Sequence, residues 1–188
     1  QRVPTDGVGG MVQWSKPIRG RQFFTAGTDW RWVRGDSQED ALDATRGQTV
    51  TTHRVSGGTQ RLMGVFVQNL IAPIPKLEVT LSVRLDHWLN SDAHNFENSV
   101  PSGAPTANNR LLPDRSDAVV SPRVGGLYHL TGQVSLWGNV GSGFRAPTLN
   151  ELYRQFRVGT VLTLPNAQLG PERLLGGEGG VNVALTRN

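Results

Sequence analysis

The sequence predicts an all-β protein of antiparallel, up-and-down hairpins, and three observations lead there. Apolar and polar residues alternate strictly over several runs, as side chains do on the two faces of a strand. Glycine and proline are frequent, 23 and 11 of the 188 residues, and no convincing helical stripe lies between the runs. Short turns rich in Pro or Gly alternate with long polar segments, the rhythm of successive hairpins.

Taken in order, the strand candidates number about seven. Residues 10–15 come first, then 22–34, where Phe24, Ala26, Trp30 and Trp32 share one face and Thr25, Gly27, Asp29 and Arg31 the other. Residues 62–71 follow. The cleanest run is 77–86: Leu77, Val79, Leu81, Val83 and Leu85 oppose Glu78, Thr80, Ser82, Arg84 and Asp86. In 120–128, Val120, Pro122, Val124, Gly126 and Tyr128 oppose Ser121, Arg123 and Gly125. In 134–140, Val134, Leu136, Gly138 and Val140 oppose Ser135 and Asn139. Residues 173–184 close the series.

Tight turns are expected at 16–20, 72–76 and 129–133, and long loops at 35–60, 90–116 and 145–171. A compact soluble domain rarely carries three structureless loops of that size. A transmembrane β-barrel does so routinely, with short turns on one side and long loops on the other. Its strands need only about 9–11 residues to cross a bilayer. Asp29, Arg31, Arg84, Asp86 and Arg123 fall mid-strand on the polar face, which would look into a hydrated or plugged lumen. Trp14, Trp30, Trp32 and Trp88 fall near expected strand ends, where interfacial aromatic girdles belong. Alternation by itself does not distinguish lipid from a protein core, so a soluble β-domain with these tryptophans as core anchors stays open on pattern alone.

Composition removes other classes. Cysteine is absent, which excludes disulfides, zinc ribbons and thiol catalysis. No run reaches the roughly 18 apolar residues of a membrane-spanning helix. The net charge of +4 is carried by scattered arginines with no stripe interleaved with aromatics, which argues against nucleic-acid binding.

Residues 141–146, GSGFRA, match the G-x-G-x-x-G/A of a dinucleotide-binding loop. The βαβ setting is missing, and about 20 positions on, where that loop needs an acid, stands Thr163. The match is therefore read as a strand end. His53, His87, His94 and His129 form no H-x-x-x-H or H-E-x-x-H spacing, so no bound catalytic metal is expected. Residues 92–97, DAHNFE, offer oxygens for calcium but lack the glycine and spacing of an EF-hand; a solvated loop is the better reading. No nucleophile–base constellation appears, so no enzyme and no cofactor are expected.

Several segments together resemble one family, the TonB-dependent receptors of Gram-negative outer membranes. Residues 121–128, SPRVGGLY, are similar to its SPR-x-G-x-x-Y strand. Residues 143–147, GFRAP, followed by TLNELY, resemble its FRAP segment. Pro165-Asn166 and then Leu169 to Glu172, LGPE, resemble its N-x-x-L-x-P-E element, and 65–69, FVQ with Val65 before and Asn69 after, its F-V-Q-D strand. Order and spacing agree across all four.

The resemblance implies an outer-membrane receptor that takes up a scarce ligand, such as a ferric siderophore, cobalamin or haem, with energy passed on by TonB. The family closes barrels of about 22 strands around a plug. Residues 1–188 would then be a partial barrel, an incomplete, open curled sheet without the plug and the remaining strands. Partners implied are outer-membrane lipid, TonB through the absent plug, and a small ligand such as a metal chelate. Residues 148–165 hold no His, which argues against one mode of haem ligation found in the family. Loop position marks Trp88, His94, Arg110, Tyr153, Arg154, Phe156 and Arg157 as ligand-contact candidates. Arg145, on the lumen face, fits an ion pair to the plug or a neighbouring strand, with ligand contact as the second reading. A passive channel and a soluble β-rich binding or structural domain are the alternatives.

Overall fold

Alternation becomes a ladder in the computed structural model, which describes residues 1–18, 20–43, 47, 49–158 and 161–185, with backbone alone at 156–158 and 162. The elements are β1 (Thr5–Ile18), β2 (Gln22–Leu42), β3 (Val50–Ile74), β4 (Leu77–Ser99), β5 (Arg110–Leu111), β6 (Arg115–His129), β7 (Val134–Arg145), α1 (Leu149–Tyr153), β8 (Phe156–Val158), β9 (Val161–Thr163) and β10 (Glu172–Val183). One antiparallel sheet runs β1-β2-β3-β4-β6-β7-β10, with β5 added beside β4; β8 and β9 pair separately. The sheet is open, and β1 and β10 form its two edges. The expected all-β, up-and-down, unclosed architecture is borne out, and its seven principal strands match the seven candidates.

Two of the three expected loops are largely strand. β2, β3 and β4 are 21, 25 and 23 residues long, far beyond what a bilayer requires. The reason is that the ladder continues after the apolar signal stops. Above the mid-region both faces are polar, so period-two hydropathy vanishes while backbone pairing persists. Polar cross-strand partners take over there: Asp40 opposes His53, Arg54 opposes Glu97, and Ser56 opposes Asn95. Ser56 Oγ donates to Asn95 Oδ1 at 2.6 Å, and Arg54 Nε to Glu97 Oε2 at 2.6 Å.

Register assigns every side chain to a face. Phe24, Asn69, Leu81 and Val124 share one outward row, and Ala26, Val67, Val83 and Pro122 the next. Farther along come Trp30, Met63, His87 and Ala118. These outward apolar residues are exposed, with Val65 at 52%, Val83 at 40% and Val120 at 56%. An apolar surface this continuous on a water-soluble domain would be an association hazard; against acyl chains it is the expected wall.

The inward rows are polar and internally paired. Asp29, Gly64 and Asp86 stand side by side on β2, β3 and β4. Arg84 lies across Gly64 to join the two acids. Its Nη1 and Nη2 donate to Asp29 at 2.6 and 2.9 Å, and its Nε to both oxygens of Asp86 at 2.8 and 2.9 Å. A Cβ at Gly64 would overlap the guanidinium, so glycine is what leaves room for the bridge. Gly27 does the same for Phe66, whose ring would lie 2.6 Å from a Cβ there.

The tryptophans divide by face. Trp14 and Trp30 are outward and exposed, at 55% and 47%. Trp88 corrects the girdle expectation: it points inward from mid-β4 and is 1% exposed. Parity explains it, since Trp88 follows Arg84 and Asp86 on the inner side.

Gly64→Val is expected to push Arg84 off both carboxylates and leave Asp86 buried without its cation. For a bridge about one-third exposed, a loss of roughly 1–3 kcal/mol is expected, read as a lower temperature for loss of the compact band on unheated gels. An unchanged temperature would refute the role of the bridge.

Candidate functional site

Within the third expected loop, 145–171, residues 146–155 and 166–169 turn back across the inner face, and the first stretch supplies the only helix among the described residues. A capping box starts α1: Thr148 Oγ1 accepts from Glu151 N at 3.3 Å, while the Glu151 carboxylate accepts from Thr148 N at 2.8 Å. The signal, Thr148 three residues before Glu151, is legible in the sequence, but five residues are too few to show a helical stripe.

Packing holds the helix down. Leu152 and Tyr153 join Trp88 and Ala93 in a buried cluster, bordered by Leu62, Leu112, Ala146, Leu149 and Ala167. Asp92 takes a φ of 55° and shifts β4 locally, so that Ala93 rather than a larger residue meets the helix. Gly58, opposite, lies close enough that its Cβ would be 3.4 Å from the Tyr153 ring. Asn90 Nδ2 donates to Tyr153 Oη across a long 3.5 Å. Burial pushes the Tyr153 phenol up, outweighing that hydrogen bond.

Polar links tie the rest of the segment to the wall. Gln60 Nε2 donates to Pro147 O at 2.9 Å and to Asn90 Oδ1 at 3.1 Å. Arg115 Nη1 donates to Ala167 O at 2.7 Å, and Arg154 Nε to Glu39 Oε1 at 2.6 Å. Arg145 sits between two acids, with Nη2 2.7 Å from Glu172 Oε1 and Nη1 2.9 Å from Glu151 Oε2. Hydrogen bonds from Arg145 first, and from Thr148 second, hold the Glu151 carboxyl down at about 2.

Between this strap and β1–β3 lies an open cleft of about 420 Å³. Thr5, Arg31, Val33, Ser37, Ser56, Gln60, Leu62, Arg145, Thr148 and Asn150 are among its lining residues. Ser37, Ser56, Gln60 and Arg145 are already engaged in hydrogen bonds within the protein. Among the described residues Arg31 has no such partner, so it is the cleft guanidinium left uncommitted in polar surroundings. That suits a polar or anionic guest.

The sequence candidates separate into three groups. Trp88 and Tyr153 are buried together and act as packing for the strap, since neither presents surface to a ligand. Arg145 and Arg154 flank α1 and are held in ion pairs. His94 and Arg110 lie higher, where β5 runs along β4. His94 stacks on Phe96 with ring centres 4.8 Å apart, and its Nε2 lies 3.3 Å from Asp36 Oδ1, an ion-pair distance without hydrogen-bond alignment. The Phe156 and Arg157 side chains lie outside the described residues. Arg31, which sequence reasoning placed on the lumen wall only, is the cleft residue it did not single out.

The 92–97 segment is not a preformed calcium site. Glu97 is taken up by Arg54, by Thr106 Oγ1 at 2.9 Å and by Asn108 Nδ2 at 3.2 Å. Among the described residues, no group of three or more His, Asp or Glu is arranged to hold a metal.

Comparison with known proteins places this geometry. The family model described as "TonB dependent receptor-like, beta-barrel" matches residues 5–188. Among solved structures the chain is similar to "Copper transporter OprC", with a TM-score of 0.74 and 17% identity over 97% of this chain. It spans 28% of that chain. It is also similar to the ferric citrate transporter FecA in the unliganded form, at 18% identity over 76% of this chain and 20% of that one, with a TM-score of 0.49. Comparison with curated protein sequences gave no match.

Tyr153→Ala is expected to remove the ring that fixes α1 and to destabilise its docking by about 3–5 kcal/mol. Hydrogen exchange at the Leu152 amide, which donates to Thr148 O, would rise while exchange in mid-β3 stays unchanged. Equal protection in the variant would show that α1 is held by the polar links alone. A second expectation concerns pH. The Glu151 carboxyl is lowered from 4.5 to about 2, so its contribution is complete above pH 4.5 and is lost as pH falls toward 2. Protection of the Thr148 amide should decline through that window, and Glu151→Gln should abolish the decline; a variant that keeps it would place the titration elsewhere.

Proposed function

The chain belongs to the TonB-dependent receptor-like β-barrel family, and from that membership we propose that it is a segment of the barrel wall of an energised outer-membrane uptake receptor. The family's members are Gram-negative outer-membrane proteins that carry out transport, with no enzymatic step. The observation that carries the reading is the division of the sheet into an exposed apolar outer face and a charged, internally paired inner face. The free edges of β1 and β10 support further strands on both sides. Residues 1–188 are then a partial barrel, and the plug that TonB would pull belongs to chain outside them.

The cargo proposed is a scarce small ligand, such as a ferric siderophore, cobalamin or haem. In this reading Arg31 and Asn150 meet it in the cleft, with His94, Arg110, Arg154, Phe156 and Arg157 above. Trp88 and Tyr153 keep the strap in place, and Arg145 acts through α1 rather than by touching cargo. Transport along such a wall needs no cofactor in this chain.

Two measurements test the proposal on the full-length protein in membranes. Nitroxides at positions 83 and 82 should report opposite environments: the Val83 site relaxed by oxygen in lipid, the Ser82 site by a water-soluble nickel chelate. Both sites reporting water would sink the wall assignment. Uptake, screened with ferric siderophores, cobalamin and haem, should stop when TonB is removed; uptake that continues would identify a passive channel.

A further inference from the structure

Charge separates the two rims of the wall. Both lysines of the chain, Lys16 and Lys76, lie at the short-turn end, and Arg21 joins them. Lys16 is on the outward face of β1, opposite Phe24. Arg21 ends the β1–β2 turn, and its carbonyl accepts from Ala72 N at 2.8 Å, which sets it beside the next hairpin. Lys76 occupies the two-residue turn between Ile74 and Leu77. All three are exposed, and none of their side-chain cations makes a hydrogen bond or ion pair with a described residue.

The acids near this rim do not neutralise it. Glu78, the next residue but one after Lys76, faces inward and approaches His129 Nε2 at 3.8 Å. The long-strand end is different, because outward charges there are mixed. Asp6 opposes Arg34, Asp36 approaches His94, and Asp40 meets His53. The three short-turn cations border exposed apolar surface directly. Ile18 is 43% exposed, Ile74 49% and Trp14 55%. Trp14 stands edge-on to Phe24 with centroids 6.1 Å apart.

We propose that this rim is a binding site for an anionic phospholipid, held by its headgroup phosphate. Lysine and arginine hold phosphate oxygens by charge-assisted hydrogen bonds. Long cationic side chains lie along apolar surface with their heads at the membrane interface. The occupant is a lipid such as phosphatidylglycerol and not a free phosphate, because the adjoining apolar strip is covered only if acyl chains come with the charge. In a barrel whose short turns face the periplasm, the site draws on the inner leaflet. The inference rests on the membrane-wall reading above.

The test uses the full-length protein inserted into vesicles of phosphatidylcholine alone or mixed with phosphatidylglycerol, then extracted gently for native mass spectrometry. The wild type should retain phosphatidylglycerol in preference to phosphatidylcholine. The triple variant Lys16→Gln, Arg21→Gln, Lys76→Gln should lose that preference by roughly tenfold, since each cation near an anionic surface contributes and the three do not add fully. Arg34→Gln with Arg61→Gln, at the opposite end, should leave it unchanged. Added inorganic phosphate should not displace the lipid. Where the triple variant fails to fold, Lys76→Gln alone, in an exposed turn, should reduce retention about threefold. Undiminished retention in these variants, or displacement by inorganic phosphate, overturns the site. Failure of the wild type to insert into either vesicle overturns the wall reading itself.

Discussion

A one-residue slip between neighbouring strands would turn Leu81, Val83 and Leu85 to the inside and Ser82, Arg84 and Asp86 to the outside. Every property of the sheet depends on preventing that slip. The bridge from Arg84 to Asp29 and Asp86 does so across three strands at once, because its geometry exists only when Asp29, Gly64 and Asp86 are level. Lateral hydrogen bonds alone would tolerate the shifted pairing. The charges would not, since a slip would place a carboxylate and a guanidinium on the apolar face.

With register set, the two faces answer to different solvents. The outer rows need only be largely apolar, and Val, Leu, Ala and Pro stand there beside Phe24, Trp30 and Met63. The inner rows carry large residues where glycine lies opposite, as with Phe66 over Gly27 and Trp137 over Gly180. Above the apolar band the hairpins continue on polar pairs, and there the inner face closes on itself. The strap from Arg145 onward buries Leu152 and Tyr153 against Trp88, which with Ala93 gives this open sheet a dry core.

That core matters for function because it is local. The strap positions Arg145, Thr148 and Asn150 along the cleft while its own charges are spent on Glu151, Glu172 and Glu39. Among the described residues, Arg31 on the inner wall and the cations of the short-turn rim outside are left without such partners. A transport wall needs both kinds of surface: an inner one that holds cargo weakly, and an outer one that settles at a fixed depth among lipids.

The residue pattern alone determined strand identity, face assignment and the short turns, since period-two alternation is a direct imprint of the pleat and turn residues are chosen locally. It also carried the family, through SPRVGGLY and GFRAP in order. The pattern misplaced the strand ends beyond Arg34, Asp86 and Val120, because polar-on-polar pairing such as Arg54 with Glu97 leaves no hydropathy signal. Trp88 was misjudged for a related reason: an aromatic near an expected strand end looks the same whether it meets lipid or Tyr153. Only tertiary structure decided that the helix after Arg145 folds inward, because the contacts responsible, Leu152 and Tyr153 on Trp88 and Gln60 on Pro147, join positions more than sixty residues apart. Such long-range packing follows from where the strands stand in space, and one chain read in order carries no trace of it.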